Sequence, residues 1–404
     1  MIKNSLILLI MSTLFLSCSK KDVFESDKQI IIKPIAKCEN GLAGEYPCKN
    51  YDLLTYISLE DLGDVDTKGN DSWGWVDPET QKEYALMCTN QGTTFIDITD
   101  PANAIILGRL KTQTVSSPWR DVKVYNSFAY IVSEAEEHGM QIFNLTKLRN
   151  VVDPPVEFDA DVHYTKFTNA HNIVINEDSG FAYVVGSSTF NGGPHFIDIN
   201  IPFNPQFTDG YSNNGYSHDA QVITYKGPDT DYTNKEILIG SNQNEVVILD
   251  VSNKENPIKI ASIDYPNIGY VHQGWFTEDQ RYFILGDELD EIRFGGNTRT
   301  LIFDFTDLDN PIYHMDYIGN TPAIDHNGYV NGNTYFQANY AAGVRMIDIS
   351  NIENKSLSEI GFFDTYPENN NATFNGAWNV YPYLPSGNII ISDINKGLFV
   401  IRKN

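Results

Sequence analysis

Hydrophobic positions in this chain fall in short runs rich in β-branched and aromatic residues. Each run is closed by Gly, Asn, Asp or Ser, and the pattern continues from Leu53 to the C-terminus. The clearest unit lies between Tyr270 and Asp307. It opens with Tyr270-Val271-His272-Gln273-Gly274-Trp275 and continues with the strand-like Arg281-Tyr282-Phe283-Ile284-Leu285-Gly286. The acidic stretch Asp287-Glu288-Leu289-Asp290-Glu291 reads as a solvated loop. A second strand, Thr300-Leu301-Ile302-Phe303, runs into the turn Asp304-Phe305-Thr306-Asp307. Runs of this length and composition predict strands, and no long amphipathic helical pattern interrupts them.

The unit recurs. Its polar–aromatic signature is read at Ser72-Trp73-Gly74-Trp75, Trp119-Arg120-Asp121, Ala170-His171-Asn172 and Ser217-His218-Asp219. It returns at Val271-His272-Gln273, Asp325-His326-Asn327 and Asn375-Gly376-Ala377-Trp378, making seven copies. A strand ending at a small or polar residue follows, as at 129–133, 182–186, 237–240, 335–338 and 389–392. A β-branched strand then ends in a turn whose aspartate is Asp97, Asp198, Asp250, Asp304 or Asp348; these aspartates read as structural. Fourth strands appear at 105–110, 258–263, 312–317 and 357–363. Four short strands in about fifty residues is the make-up of a propeller blade. The predicted fold is all-β: a seven-bladed β-propeller of four-stranded blades. The last copy stops after its third strand, and an orphan strand at 53–59 precedes the first. That strand is expected to close the last blade, leaving no free sheet edge.

The N-terminus carries a different pattern. Lys3 precedes an apolar run from Leu6 to Leu16, too short to span a bilayer comfortably. The run ends in Phe15-Leu16-Ser17-Cys18, which resembles a bacterial lipobox. Residues 1–17 are therefore expected to be a lipoprotein signal peptide, with Cys18 lipidated. Residues 18–37 form a polar, lipid-anchored tether, and residues 38–404 form the propeller. An exported chain meets an oxidising compartment, so Cys38 and Cys48 are expected to form a disulfide. Cys88 lies in a buried-strand pattern and reads as core.

The third-strand motif resembles the LVIVD repeat. Tyr46-Pro47-Cys48, Trp119-Arg120-Asp121, Ser133-Glu134-Ala135, His138-Gly139-Met140-Gln141, Ala170-His171-Asn172, His218-Asp219-Ala220-Gln221, His272-Gln273-Gly274-Trp275 and Ala377-Trp378 complete the pattern. Together they resemble the choice-of-anchor B family of bacterial surface proteins, from Cys38 to the C-terminus. The resemblance implies a surface protein held by one of several anchors, here the lipid on Cys18. It implies no activity and no catalytic residues.

Composition narrows the partners. The formal charge of -25 repels phosphate backbones, so nucleic acid is not expected. The membrane is reached through the lipid anchor only. No nucleophile elbow, zinc-protease motif or phosphate-binding glycine loop occurs.

Candidate chemistry centres on the signatures. His171, His218, His272 and His326 take the same place in four copies, with Trp73, Arg120 and Gly376 in the others. Equivalent positions in a propeller converge on its axis, so the four imidazoles are a candidate transition-metal site. Arg120, Asp121, Glu134, Asp219, Asp287 and Asp393 are candidates to surround it, with Arg120 expected to face it. The alternative is structural, with each histidine tying a blade to a turn. Two functions stay open. One is an envelope-anchored, non-enzymatic module binding a surface glycan, peptide or protein. The other is a metal-dependent enzyme with a four-histidine centre. The envelope location points to the outer membrane or cell surface.

Overall fold

The computed structural model describes residues 36–404. The expected signal peptide, Cys18 and nearly all of the tether lie outside the described residues. The described chain forms seven sheets arranged in a ring. The axial strands are, in order, Gly69–Val76, Arg120–Tyr125, Asn172–Asn176, Asp219–Thr224, Val271–Phe276, Gly328–Asn331 and Ala377–Tyr381. Each touches the next, and the seventh touches the first. The protein is thus a closed, seven-bladed β-propeller.

Closure follows the sequence pattern. Tyr51–Ser58 pairs antiparallel with Gly397–Lys403, Tyr51 opposite Lys403 and Ser58 opposite Gly397. It is the fourth strand of blade 7, and it passes directly into the short helix Leu59–Leu62.

The middle strands explain why the hydrophobic runs are continuous rather than alternating. Glu83–Thr89, Glu236–Ser241, Tyr282–Asp287 and Ile389–Asp393 are buried at every position. Both faces of such a strand meet a neighbouring blade, so both must be apolar. Leu86 and Phe95 of blade 1 pack with Ile131 and Phe143 of blade 2; Tyr130 and Val132 pack with Ile173 and Ile197 of blade 3. At the blade 7–blade 1 joint a Cβ on Gly69 would lie 2.1 Å from the Asp393 carbonyl oxygen, so only glycine fits there. Cys88 is fully buried, as its pattern suggests.

Asp97, Asp198, Asp250, Asp304 and Asp348 each accept the backbone N–H two residues on, forming Asx turns; the first four end their third strands, and that of Asp348 lies within Val344–Asn351.

Three features were not legible. The fourth strand of blade 2 is only Val162–Tyr164, and the preceding Val156–Phe158 runs parallel to Ile105–Lys111 on blade 1. The Pro154-Pro155 pair breaks the run, since proline cannot donate to a ladder. Second, the hairpin of Leu42–Ala43 and Tyr46–Lys49 extends blade 6, with Cys48 opposite Phe363. The Cys38–Cys48 disulfide holds this hairpin, Cα to Cα 5.9 Å. Third, the acidic stretch after Gly286 is not solvated: Asp287, Asp290 and Glu291 are buried. Arg299 pairs with Asp290 at 2.7 Å and gives its backbone N–H to Glu291, so Asp290–Phe294 folds inward as a helical turn. Among the described residues no helix is long and apolar enough to cross a membrane.

Candidate functional site

The four recurring histidines stand side by side where the axial strands begin. Ring centroids are 4.1 Å apart for His171 and His218, 4.3 Å for His218 and His272, and 4.3 Å for His272 and His326. The row continues to Trp378, 4.5 Å from His326. Sheet register explains this. His272 lies in a bulge between Val271 and Gln273, and Trp378 lies in the same kind of bulge between Ala377 and Asn379. Trp378 therefore takes the seventh place, not Gly376. In blade 1 the bulge falls between Gly69 and Ser72, and the Asn70 side chain accepts the Arg120 backbone N–H. Asn70, not Trp73, takes the first place.

Backbone carbonyls and carboxylates orient the rings. His218 Nδ1 donates to the His272 carbonyl at 3.1 Å, and His326 Nδ1 donates to the Trp378 carbonyl at 2.5 Å. His171 Nδ1 is 2.6 Å from a Glu134 carboxylate oxygen. Such bonds fix the tautomer and leave Nε2 as a free donor atom. His272 differs, since neither of its buried ring nitrogens has a hydrogen-bond partner. Burial, then the neighbouring imidazoles, keeps the His218, His272 and His326 rings neutral. The His272 and His326 pKa values fall to about 3, and that of His218 falls well below its ordinary range. Beside the row is a cavity of about 20 Å³, bordered by His171, His218, His272, His326, Arg120 and Asn172 among others. That is room for about one water.

Glu288 completes the arrangement. Its Oε1 lies 3.8 Å from Nε2 of both His272 and His326 and accepts the Tyr340 hydroxyl at 2.7 Å. Of the four histidines, only His272 and His326 share a compact donor cluster with a carboxylate among the described residues.

The other candidates are distributed differently. Arg120 borders the cavity, but its guanidinium does not face the histidines. It donates to the Thr89 carbonyl, Thr112 Oγ1 and Nε2 of His138, inside the joint between blades 1 and 2. Burial lowers its pKa to about 10. His138, outside the column of four histidines, is its buried partner. Asp287 accepts the Tyr265 hydroxyl and the Gly269 and Tyr270 backbone N–H groups, fastening the loop before blade 5. Asp393 accepts the Thr365 hydroxyl and two backbone N–H groups, and burial raises its pKa to about 6. Both are engaged in loop geometry.

Asp121 and Asp219 belong to a buried polar layer below the histidines. Lys123 Nζ is 2.6 Å from Asp121 and 3.3 Å from Asp71. Burial opposes every charge here. Lys123 outweighs it for Asp121, whose pKa is lowered, whereas Asp71 is held well above the usual carboxylate range. The layer is thus centred on one buried ion pair, Lys123 with Asp121. Burial, then Asp121, raises Asp219 to about 7.

Where the axial strands end, the channel widens to a vestibule of about 480 Å³. Trp73, Trp275, Tyr381 and Tyr383 line it, with Lys123, Gln221, Glu177 and Glu278 as polar neighbours. Trp73 packs at 4.9 Å from Tyr381, and Lys123 Nζ lies 4.6 Å over the Trp73 ring. Gly74 makes this possible, because a Cβ there would meet the Tyr381 ring at 2.1 Å.

No protein-family model and no curated protein matches the chain. Solved structures do. A protein from Lactobacillus plantarum aligns with TM-score 0.53 at 12% identity, over 83% of this chain and 91% of that one. Kuenenia stuttgartiensis hydrazine synthase aligns with TM-score 0.55 at 13% identity, over 82% of this chain and 94% of that one. At such identities the likeness is one of fold.

Sequence reasoning missed Glu288 and the vestibule. Glu288 is hidden in an acidic run. The vestibule has a signal: three residues beyond the axial places stand Trp73, Lys123, Val174, Gln221, Trp275 and Tyr381, all lining it.

Proposed function

We propose that this protein is an envelope-anchored lipoprotein whose propeller is a non-enzymatic binding module, and that its ligand is a neutral surface saccharide seated in the axial vestibule. The observation that carries this reading is the pocket of about 480 Å³ with partly exposed Trp73, Trp275, Tyr381 and Tyr383. Its size is that of a small-ligand pocket, mostly apolar with a few placed polar groups. Aromatic faces suit the C–H faces of sugar rings. The carboxylates of Glu177 and Glu278 and the amides of Gln221 and Gln280 suit sugar hydroxyls. Lys123 adds little net positive charge, being paired with Asp121. An anionic ligand is therefore a poorer fit. The lipobox-like Leu16-Ser17-Cys18 and the motif set similar to choice-of-anchor B proteins support the anchored, surface-facing part of the proposal.

The test is calorimetric titration of the purified chain with a panel of neutral oligosaccharides, alongside Trp275→Ala and Tyr381→Ala. At least one saccharide is expected to bind, and each variant to weaken it tenfold or more, roughly 1.4 kcal/mol. Binding that survives both substitutions, or binding of peptides alone, removes the saccharide reading.

A further inference from the structure

At the other end of the axis, we propose that His272, His326 and Glu288 bind one divalent transition-metal ion, leaving an open coordination position toward the small axial cavity. This site is separate from the vestibule and does not depend on what the vestibule binds.

Convergence comes first. Glu288 Oε1 is 3.8 Å from Nε2 of both His272 and His326, and the three donor atoms all lie within 4.8 Å of one another. Donors on one tetrahedral ion with bonds of ~2.1 Å stand ~3.4 Å apart. A closure of a few tenths of an ångström brings Glu288 into range of both rings.

The second observation is the unmet need of His272. The residue is 1% exposed, yet neither ring nitrogen has a hydrogen-bond partner. A buried polar atom left so costs about 1–3 kcal/mol. An ion at Nε2 satisfies that atom.

The supporting groups are arranged as those of a metal site are. His326 gives its Nδ1–H to the Trp378 carbonyl, which aims Nε2 at Glu288. Tyr340 donates to Glu288 Oε1 at 2.7 Å and holds that carboxylate in place. Outer partners of this kind tune metal affinity. Arg120, the cation that would oppose an ion, is turned into the blade 1–blade 2 joint.

The donor chemistry selects the ion. Two imidazoles and one carboxylate suit Zn²⁺, Fe²⁺ or a similar ion, and not Mg²⁺ or Ca²⁺, which take oxygen donors. His272 and His326 also border the cavity of about 20 Å³, which has space for a metal-bound water. His218 and His171 extend the row beyond this donor set, so the proposed centre is not a four-histidine one.

The experiment uses the purified chain stripped with chelator and reloaded with Co²⁺. One Co²⁺ per chain is expected, with visible absorption bands of nitrogen–oxygen coordination. His272→Gln and Glu288→Gln should each weaken binding a hundredfold or more. Tyr340→Phe, which keeps all three donors, should weaken it about 10–100-fold. Circular dichroism establishes that each variant folds. Absence of stoichiometric Co²⁺ binding by the wild-type chain overturns the proposal. So does unchanged binding in folded His272→Gln or Glu288→Gln protein.

Discussion

The Asp121 carboxylate accepts the backbone N–H of Ile173 at 2.8 Å, joining the axial strand of blade 2 to that of blade 3. The device recurs around the ring: Asp71 accepts from Val122, Gln221 from Phe276 and Gln273 from Gly328. These inner strands, of blades 2, 3, 5 and 6, would otherwise bury an unpaired N–H at the axis, where no neighbouring strand pairs with it. A polar side chain from the preceding blade meets that need. The axial signatures are polar for this reason as well as for any ligand.

Asp121 also holds Lys123 at 2.6 Å, so its loss removes the nearer of the two carboxylates beside a buried ammonium and leaves only Asp71, at 3.3 Å. Asp121→Ala is expected to destabilise the fold by about 3–5 kcal/mol, the usual effect of removing one partner of a buried pair. Asp121→Asn keeps the acceptor for Ile173 and should cost less. Urea denaturation of both variants measures the difference. Equal stability of Asp121→Ala and wild type contradicts the assigned pairing.

Asp219 predicts a pH dependence. Its folded pKa of about 7 lies above the ordinary 3.8, through burial and then Asp121. The folded state therefore binds this proton more tightly than the unfolded chain. Its charge costs nothing below the unfolded pKa, a growing amount between the two values, and its full penalty above the folded one. That penalty is about 4 kcal/mol. Asp219→Asn keeps an oxygen for the Ala220 backbone N–H. The variant should match the wild type near pH 4 and exceed it in stability near pH 8. Denaturation midpoints at the two pH values decide it; a gain that is the same at both contradicts the assignment.

How much of this was legible depends on what a residue's neighbours impose. Strands such as Tyr282–Asp287 are sandwiched between blades, so their apolar runs announce them. His171, His218, His272 and His326 share one side chain and one place, so their column was visible. The register in blades 1 and 7 was not, because a bulge displaces the Asn70 and Trp378 places. Trp73 imitates the signature but belongs to the vestibule. That second column mixes Trp, Lys, Val, Gln and Tyr, so no repeated letter marks it. Glu288 reads as one acid among several, and only the inward fold of the following turn separates it from them.

The anchor is a prediction from residues outside the described ones. Cys18→Ala should move the protein from the membrane pellet to the soluble envelope fraction. Fractionation of cells expressing each form measures this. Equal retention of variant and wild type in the pellet rules out lipid anchoring through Cys18.

Closure gives the last prediction. Tyr51, Leu53, Thr55 and Ile57 are buried on the fourth strand of blade 7, and their partners lie at the opposite end of the chain. Burial of each large apolar side chain contributes about 1.5–3 kcal/mol. Removing the strand loses several such contributions and also exposes the edge of Gly397–Lys403, which then templates pairing with another chain. Deletion of the chain through Leu59 should yield aggregated or unfolded protein. Ile57→Asp tests the same seam without deleting it, by placing an unpaired charge at a fully buried position. It should lower the urea midpoint by far more than a substitution at Ile105, which is 46% exposed on blade 1. If Ile57→Asp and Ile105→Asp unfold alike, the N-terminal strand is not what closes the ring.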